Sequence, residues 1–412
     1  MRAASPSRSA VADIKEGGVT TPKGFRAAGV YCGIKKSADT LDLALIAADG
    51  PVSTAAVFTT NRAVAAPVEV SREQLRRSGG RAAAIVTNSG CANAATGDAG
   101  MQVARDMAED TARALGCSPQ HVLVASTGVI GVQLDGAKVR AGIDAASRRL
   151  SADGWPDATR AIMTTDPFPK SCATSVDTPS GTITVGGMAK GSGMIEPRMA
   201  TMLGYLTTDA VVEPLVLSGA LKRVVDDTFN AITVDGECST NDCVFVMASG
   251  RSGVAVTRED DPVFLEALRS VAGHLAREIV RGGEGATKLV TVHVTGAASH
   301  ADAWLAARTI ANSPLVKTAV HGGDPNWGRL VAAAGRSGAA FELHATSVAI
   351  GDVPLFVRGT PHDERAGEAA AVLNAPQVTL TVDLGFSGRH EATMWTCDFS
   401  AQYVKINAEY RT

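Results

Sequence analysis

Segments with a two-residue repeat alternate along this chain with segments repeating every three to four residues, and no other feature restricts its fold as much. LDLALIAA (41–48) and AAAIVTN (82–88) read as strands running into loops, and HVLVASTGVIG (121–131) as a strand followed by a turn. TITVGGMAKGSGM (182–194) is a further strand that breaks into glycine. Helical spacing appears in MQVARDMAEDTARALG (101–116), where Met101, Ala104, Met107, Thr111 and Leu115 fall close to one face. It returns in PLVLSGALKRVVDDTFNAI (214–232), through Leu217, Leu221, Val225 and Phe229. The longest example is DPVFLEALRSVAGHLAREIVRGG (261–283), carrying Leu268, Val271, Leu275 and Ile279. ITVDGECSTNDCVFVMAS (232–249) reads as two strands joined by a polar loop, and KLVTVHVTG (288–296) and QVTLTVDLG (377–385) as period-two strands. Such a chain is α/β (α+β), built of stacked layers.

Its 412 residues suggest about two or three domains. A core of 1–300 and a smaller C-terminal domain of 301–412 are expected, with ASHADAWLAARTIANSP (298–314) marking the passage. Aromatic residues make up 4% of the chain against 45% hydrophobic, so Ala, Val, Leu and Ile must fill the core. A formal charge of -3 and the lack of a long basic run exclude an electrostatic nucleic-acid surface. No stretch reaches the length of a membrane span. Seven cysteines (32, 91, 117, 172, 238, 243, 397) are scattered, with neither a disulfide framework nor a CxxC pair. Cys238 and Cys243 in ECSTNDC lack the further ligands a metal needs, so reduced thiols and no metal are expected. The polar opening MRAASPSRSAVADIKEGG has no apolar signal core, and residues 1–17 are expected to be a disordered leader.

The common catalytic signatures GxSxG, HExxH, Walker A and GxGxxG are absent, and the lysine of GGEGATK (282–288) is misplaced for a phosphate loop. Among eight histidines none forms a nucleophile–base pattern; His321, in KTAVHGGDPNWGR, is expected to be structural or on the surface. That leaves KGSGMIEPRMATMLGYLTTDA (190–210), where Thr201 follows Ala200 behind a glycine-rich turn. One reading is ordinary packing at the start of a buried strand. The other is self-cleavage before Thr201, freeing an α-amine of pKa about 8 that can take the proton of its own side-chain hydroxyl. Small Ala200 and the preceding glycines suit the backbone geometry this requires. The pattern by itself leaves both readings open.

This segment resembles the cleavage and nucleophile segment of the ornithine acetyltransferase (ArgJ) family of arginine biosynthesis. The likeness extends through GVTTPKGFRAAGVYCGIKK (18–36), NSGCANAATG (88–97), ASTGVIG (125–131), AIMTTD (161–166), FNAITVDGECSTND (229–242), EGATK (284–288), NSPLVKTAVHGGDPNWGR (312–329) and the closing INAEYRT. The resemblance implies an α-β-β-α sandwich of the self-processing aminopeptidase type, cut between Ala200 and Thr201 into chains of 1–200 and 201–412. It implies acetyl transfer from N2-acetylornithine to glutamate, with acetyl-CoA a second donor in some members. Thr201 is then the nucleophile, and the Thr127 hydroxyl and Gly128 N–H form the oxyanion hole. Thr164, Lys190, Thr201, Glu284, Asn407 and Thr412 are the substrate contacts, Lys190 being a natural partner for an α-carboxylate. The resemblance brings no metal or bound cofactor. Its partners are small-molecule substrates, with neither nucleic acid nor membrane, in a cytoplasmic assembly of two α and two β chains. Taken singly, Ser-Thr-Gly after a strand is a plain turn, and Lys190 and Glu284 are solvated charges. The rival readings are a hydrolase sharing the fold and nucleophile, and an uncleaved metabolite-binding protein.

Overall fold

In chain order the first strands are β1 (Val11–Ile14), β2 (Phe25–Val30), β3 (Leu43–Phe58), β4 (Arg81–Cys91), β5 (Val122–Val129), β6 (Lys170–Thr178), β7 (Gly181–Lys190) and β8 (Leu203–Thr208). A short ribbon, β9 (Val211–Val212) with β11 (Ala255–Val256), flanks β10 (Cys243–Ala248). The helices among them are α1 (Ala66–Arg77), α2 (Gly97–Leu115), α3 (Gly136–Ser147), α4 (Trp155–Ala161), α5 (Pro214–Asp226) and α6 (Pro262–Arg281). This computed structural model describes residues 11–14, 16–196, 202–386 and 388–409. Ala200, Thr201 and Thr412 lie outside the described residues.

The order β1-β6-β7-β8-β10-β3-β4-β5, with β2 also on β3, is one hydrogen-bonded sheet that turns back on itself through β3. The first half of β3 pairs with β2 and β4, and its second half, Ser53–Phe58, pairs with β10. The register shifts between Ala47 and Val52, where Asp49-Gly50-Pro51 would read as a turn ending the strand; instead the strand bends and continues. Alternate residues of each half then serve different faces. Ile46, Ile85, Leu123, Met188, Tyr205 and Phe245 meet in a shared interior cluster, and the Tyr205 hydroxyl reaches Thr87 Oγ1 across it at 2.7 Å. Leu45, Val86 and Val124 face outward onto α2 and α3, whereas Val185, Leu206 and Val246 face outward onto α5 and α6. The result is the expected α-β-β-α layering. Sequence alone explains why α6 sits where it does. Asp261 caps it through Val263 N (3.1 Å) and Phe264 N (2.9 Å), Pro262 opens its first turn, and Leu268, Val271, Leu275 and Ile279 are buried. Each such side chain stabilises the fold by about 1.5–3 kcal/mol.

A second sheet follows, built from β12 (Leu289–Ala297), β13 (Ser347–Ile350), β14 (Val353–Val357), β15 (Thr360–Pro361), β16 (Gln377–Asp383) and β17 (His390–Cys397). Its order is β15-β14-β13-β16-β12-β17. It is packed by α7 (His300–Ala311), α8 (Pro314–Gly322), α9 (Trp327–Gly335) and α10 (Ala366–Leu373), and the chain ends in α11 (Ala401–Glu409). Strand β12 therefore belongs to this unit, hydrogen-bonded between β16 and β17, so the second sheet begins before the boundary expected at 300. Two other expectations need correction. Val11–Ile14, read as leader, pairs as an edge strand with β6, and Val11 packs against the α5–α6 cluster. Ile232–Asp242, read as strand then loop, is not a strand. Its backbone turns aside to bond elsewhere, Thr233 N to Trp395 O at 2.9 Å and Val234 N to Ile195 O at 2.7 Å. The first of these bonds ties the core to β17.

Candidate active site

Loops at the ends of β5, β7 and β8 and helix α11 surround a cavity of about 140 Å³. Thr127 and Gly128 lie in the last residues of β5, beside a register shift in β4 at Gly90–Cys91. Gly128 has φ +131°, and a Cβ there would lie 2.3 Å from the Gly90 carbonyl carbon, so this strand end can only be glycine. Strand β7 ends at Lys190, which pairs across the sheet with Leu203. The buried Lys190 Nζ donates to Thr127 Oγ1 at 3.1 Å. Glu284, buried just beyond α6, accepts from Thr165 Oγ1 at 2.8 Å and from Asn407 Nδ2 at 2.8 Å. A Cβ on Gly193 would come within 2.4 Å of that carboxylate, which is why the loop approaching it carries glycine.

Six expected site residues, Thr127, Gly128, Thr164, Lys190, Glu284 and Asn407, thus line one cavity although they span most of the chain. Met202 and Leu203 line it as well. A larger groove of about 600 Å³, between Asp226–Ala231 and the indoles of Trp304 and Trp395, contains none of them. Sequence reasoning missed several residues that build the site. Asp235 accepts from Met194 N (2.6 Å), Ile195 N (2.8 Å) and the Tyr403 hydroxyl (3.2 Å), joining the loop after β7 to α11. Burial, then the Asp235 carboxylate, pushes the Tyr403 phenol well above its ordinary value. Asn241 donates to Ala92 O and Ser126 O at 2.6 and 2.9 Å, fixing the loop opposite β5.

Beneath Thr164 and Lys190 lies a fully buried ion pair, Asp166 and Lys170, at 2.7 Å. Asp166 also accepts from Thr164 N (3.0 Å) and Gly191 N (2.8 Å). Burial alone would raise its carboxyl, but Lys170, Lys190 and the Gly191 N–H outweigh that and hold it at about 2. For Lys170 burial wins, and its ammonium sits below the usual lysine range despite Asp166. Lys35 ties the same segment down by donating to Met163 O at 2.7 Å. No composition or spacing signal marks Asp166 or Lys170, since isolated charges in a sequence default to the surface.

Among the described residues, the cavity wall carries the carboxylates of Asp235, Glu237, Asp242 and Glu284 and one ammonium, that of Lys190. That balance suits a small molecule with one carboxylate and at least one ammonium group. His321 lies elsewhere, in the last turn of α8, its Nδ1 2.6 Å from the buried Asp398 that follows β17, in a structural role. All seven cysteines are free, and among the described residues no cluster of three or more His, Cys, Asp or Glu could hold a metal ion. No helix of the described residues is long and apolar enough to cross a membrane.

The family model for ArgJ matches residues 26–412. A relative from Chlorobaculum tepidum, an arginine biosynthesis bifunctional protein ArgJ, is 50% identical over 98% of this chain and 100% of its own length. The protein belongs to the ArgJ family. A second relative so named, from Symbiobacterium thermophilum, is 49% identical over 96% of this chain and 99% of its own. The solved structure of a Bacillus halodurans protein with the same name is 43% identical, with a TM-score of 0.49, over 51% of this chain and 100% of that one. As an ArgJ-family member the protein is an acyltransferase of arginine biosynthesis.

Proposed function

We propose that this ArgJ-family protein moves the acetyl group of N2-acetyl-L-ornithine to L-glutamate through an ester on Thr201. The observation that carries this reading is the convergence of Thr127, Gly128, Thr164, Lys190, Glu284 and Asn407 on one cavity, with Met202, the residue bonded to Thr201, in its wall. Cleavage between Ala200 and Thr201 frees the α-amine of Thr201, which accepts the proton of its own hydroxyl as Oγ1 attacks the acetyl carbonyl. The C–O bond forms, and the carbonyl oxygen becomes an oxyanion held by the Thr127 hydroxyl and the Gly128 N–H. Each such donor is worth about 3–4 kcal/mol. Collapse breaks the C–N bond, and the α-ammonium of Thr201 returns its proton to the departing amine of ornithine.

The amine of glutamate then attacks the ester by the same route in reverse, giving N-acetylglutamate and free Thr201. Lys190 receives the α-carboxylate common to both substrates. Glu284 and its acidic neighbours receive the ammonium of ornithine. Partial burial of the cavity limits hydrolysis of the ester between the half-reactions. The reading includes acetyl-CoA as a second donor, no bound metal or cofactor, cytoplasmic location, and an assembly of two α and two β chains. Thr412 completes the substrate contacts.

The test is incubation of processed protein with N-acetylornithine, with and without glutamate. Acetylglutamate forming at the rate ornithine appears, and only when glutamate is present, is the expected result. Free acetate at a rate indifferent to glutamate would make the protein a hydrolase. A single full-length band on a denaturing gel, together with no turnover, would make it an inert binder.

A further inference from the structure

Lys190 has a second consequence for the oxyanion site. An ammonium only donates, whereas a hydroxyl has one proton and two lone pairs. The bond from Lys190 Nζ therefore occupies a lone pair of Thr127 Oγ1 and leaves the Thr127 proton to donate elsewhere, with the cavity beside it. What fixes Lys190 is Asp166. It accepts from the N–H of Gly191, the peptide that follows Lys190, and holds Thr164 N from the other side. Neither Asp166 nor Lys170 exposes any side-chain surface.

We propose that Asp166 is a positioning residue for the oxyanion site, holding Lys190 as donor to Thr127 so that the Thr127 hydroxyl proton points into the cavity. The proposal rests on the acetyl-transfer reading above. Among the charged groups around Asp166, Lys170 is in contact, while Lys190 acts on its charge from beyond ion-pair distance and Lys35 feels it in turn; Glu278 of α6 faces Lys170, and Asp42 faces Lys35. Asp166 is thus the central negative charge among three lysines.

In Asp166→Asn, Lys170 loses the charge that favours its ammonium and sheds its proton at lower pH. The expected result is a fall in kcat of about tenfold or more, short of the 10²–10³ for outright loss of an oxyanion donor. The KM for acetylornithine rises severalfold as well, since Lys190 also receives the α-carboxylate, and the alkaline limb of the kcat profile moves to lower pH. Adding Lys170→Met removes one charge of each sign and returns the limb toward wild type. A merely structural role would lower activity equally at every pH and leave the limb in place. A second measurement needs neither turnover nor cleavage: NMR of lysine labelled with ¹³C at Cε, with the Lys170 signal identified by its loss in Lys170→Met. In Asp166→Asn that signal titrates at lower pH than in wild type. An unmoved limb, a limb that stays displaced in the double variant, or a Lys170 titration unchanged by Asp166→Asn would overturn the proposal. Because the titration requires no substrate, a wild-type protein that transfers no acetyl group would refute the functional reading without obscuring this result.

Discussion

Replacing Thr127 with valine removes one oxygen and keeps the shape of the side chain. In the structure that oxygen accepts from Lys190 Nζ at 3.1 Å at the end of β5, and in the proposed reaction its proton stabilises the oxyanion. Two losses follow. The missing oxyanion donor should lower kcat by about 10²–10³, or about 2.7–4 kcal/mol of transition-state stabilisation. The buried Lys190 ammonium loses an acceptor, which should cost about 1–3 kcal/mol of folding stability. A donor that engages the oxygen only once it carries charge contributes little to ground-state binding, so the KM for acetylornithine should stay within about twofold. Thr127→Ser, which keeps the hydroxyl, should regain most of the kcat. Steady-state acetylglutamate formation gives the kinetic terms, and urea unfolding of the same preparations gives the stability. A kcat within about threefold of wild type, with the loss confined to KM, would show that Thr127 binds substrate rather than the transition state.

Three further predictions follow from the geometry. Asp166 is held at about 2 against an ordinary 3.8, so its contribution to stability, about 2 kcal/mol, is present above pH 4 and lost as pH falls toward 2. Urea midpoints of the wild type should fall across that window more steeply than those of Asp166→Asn, and parallel curves would contradict the assignment. Gly128→Ala would set a Cβ 2.3 Å from the Gly90 carbonyl carbon and should cost about 4 kcal/mol or more. Gly131→Ala, at φ +77° but with nothing within 4 Å, should cost only about 1 kcal/mol, and equal losses in thermal unfolding would refute the steric argument. Helix α11 buries no residue and is fastened over the cavity by Tyr403 and Asn407. Tyr403→Phe and Asn407→Ala should therefore speed hydrogen exchange in 401–409 and raise KM severalfold, while global stability changes by less than about 1 kcal/mol.

What the sequence disclosed, and what it hid, follows from how local the cause is. Helix α6 was legible because its apolar stripe, Leu268, Val271, Leu275 and Ile279, lies within one segment, and the Asp261 cap found in the structure lies in that segment too. Of the residues lining the cavity, Thr127, Gly128, Thr164, Lys190, Glu284 and Asn407 were expected from their motifs alone, since no period or charge pattern would bring Thr127 to Lys190. The bend in β3 was not, because Asp49-Gly50-Pro51 has the composition of a turn and only its pairing with two different neighbours keeps it in the sheet. Val11–Ile14 owes its strand to β6, more than 150 residues away, and Ile232–Asp242 loses its own to Trp395 and Ile195. The allegiance of β12 was hidden because period two marks a strand without naming its sheet. Asp166 and Lys170 were the least visible, for each is tolerable in the interior only in the presence of the other.

The central claim is that Thr201 carries the acetyl group between donor and acceptor. Processed protein should be mixed with N-acetylornithine, quenched in acid within one turnover, digested, and examined by mass spectrometry. The account predicts a single acetyl group on Thr201 at the head of the second chain, chased off by glutamate as acetylglutamate appears. Acetylglutamate accumulating with no acetyl group on that residue, or with the label reproducibly on another, would contradict it.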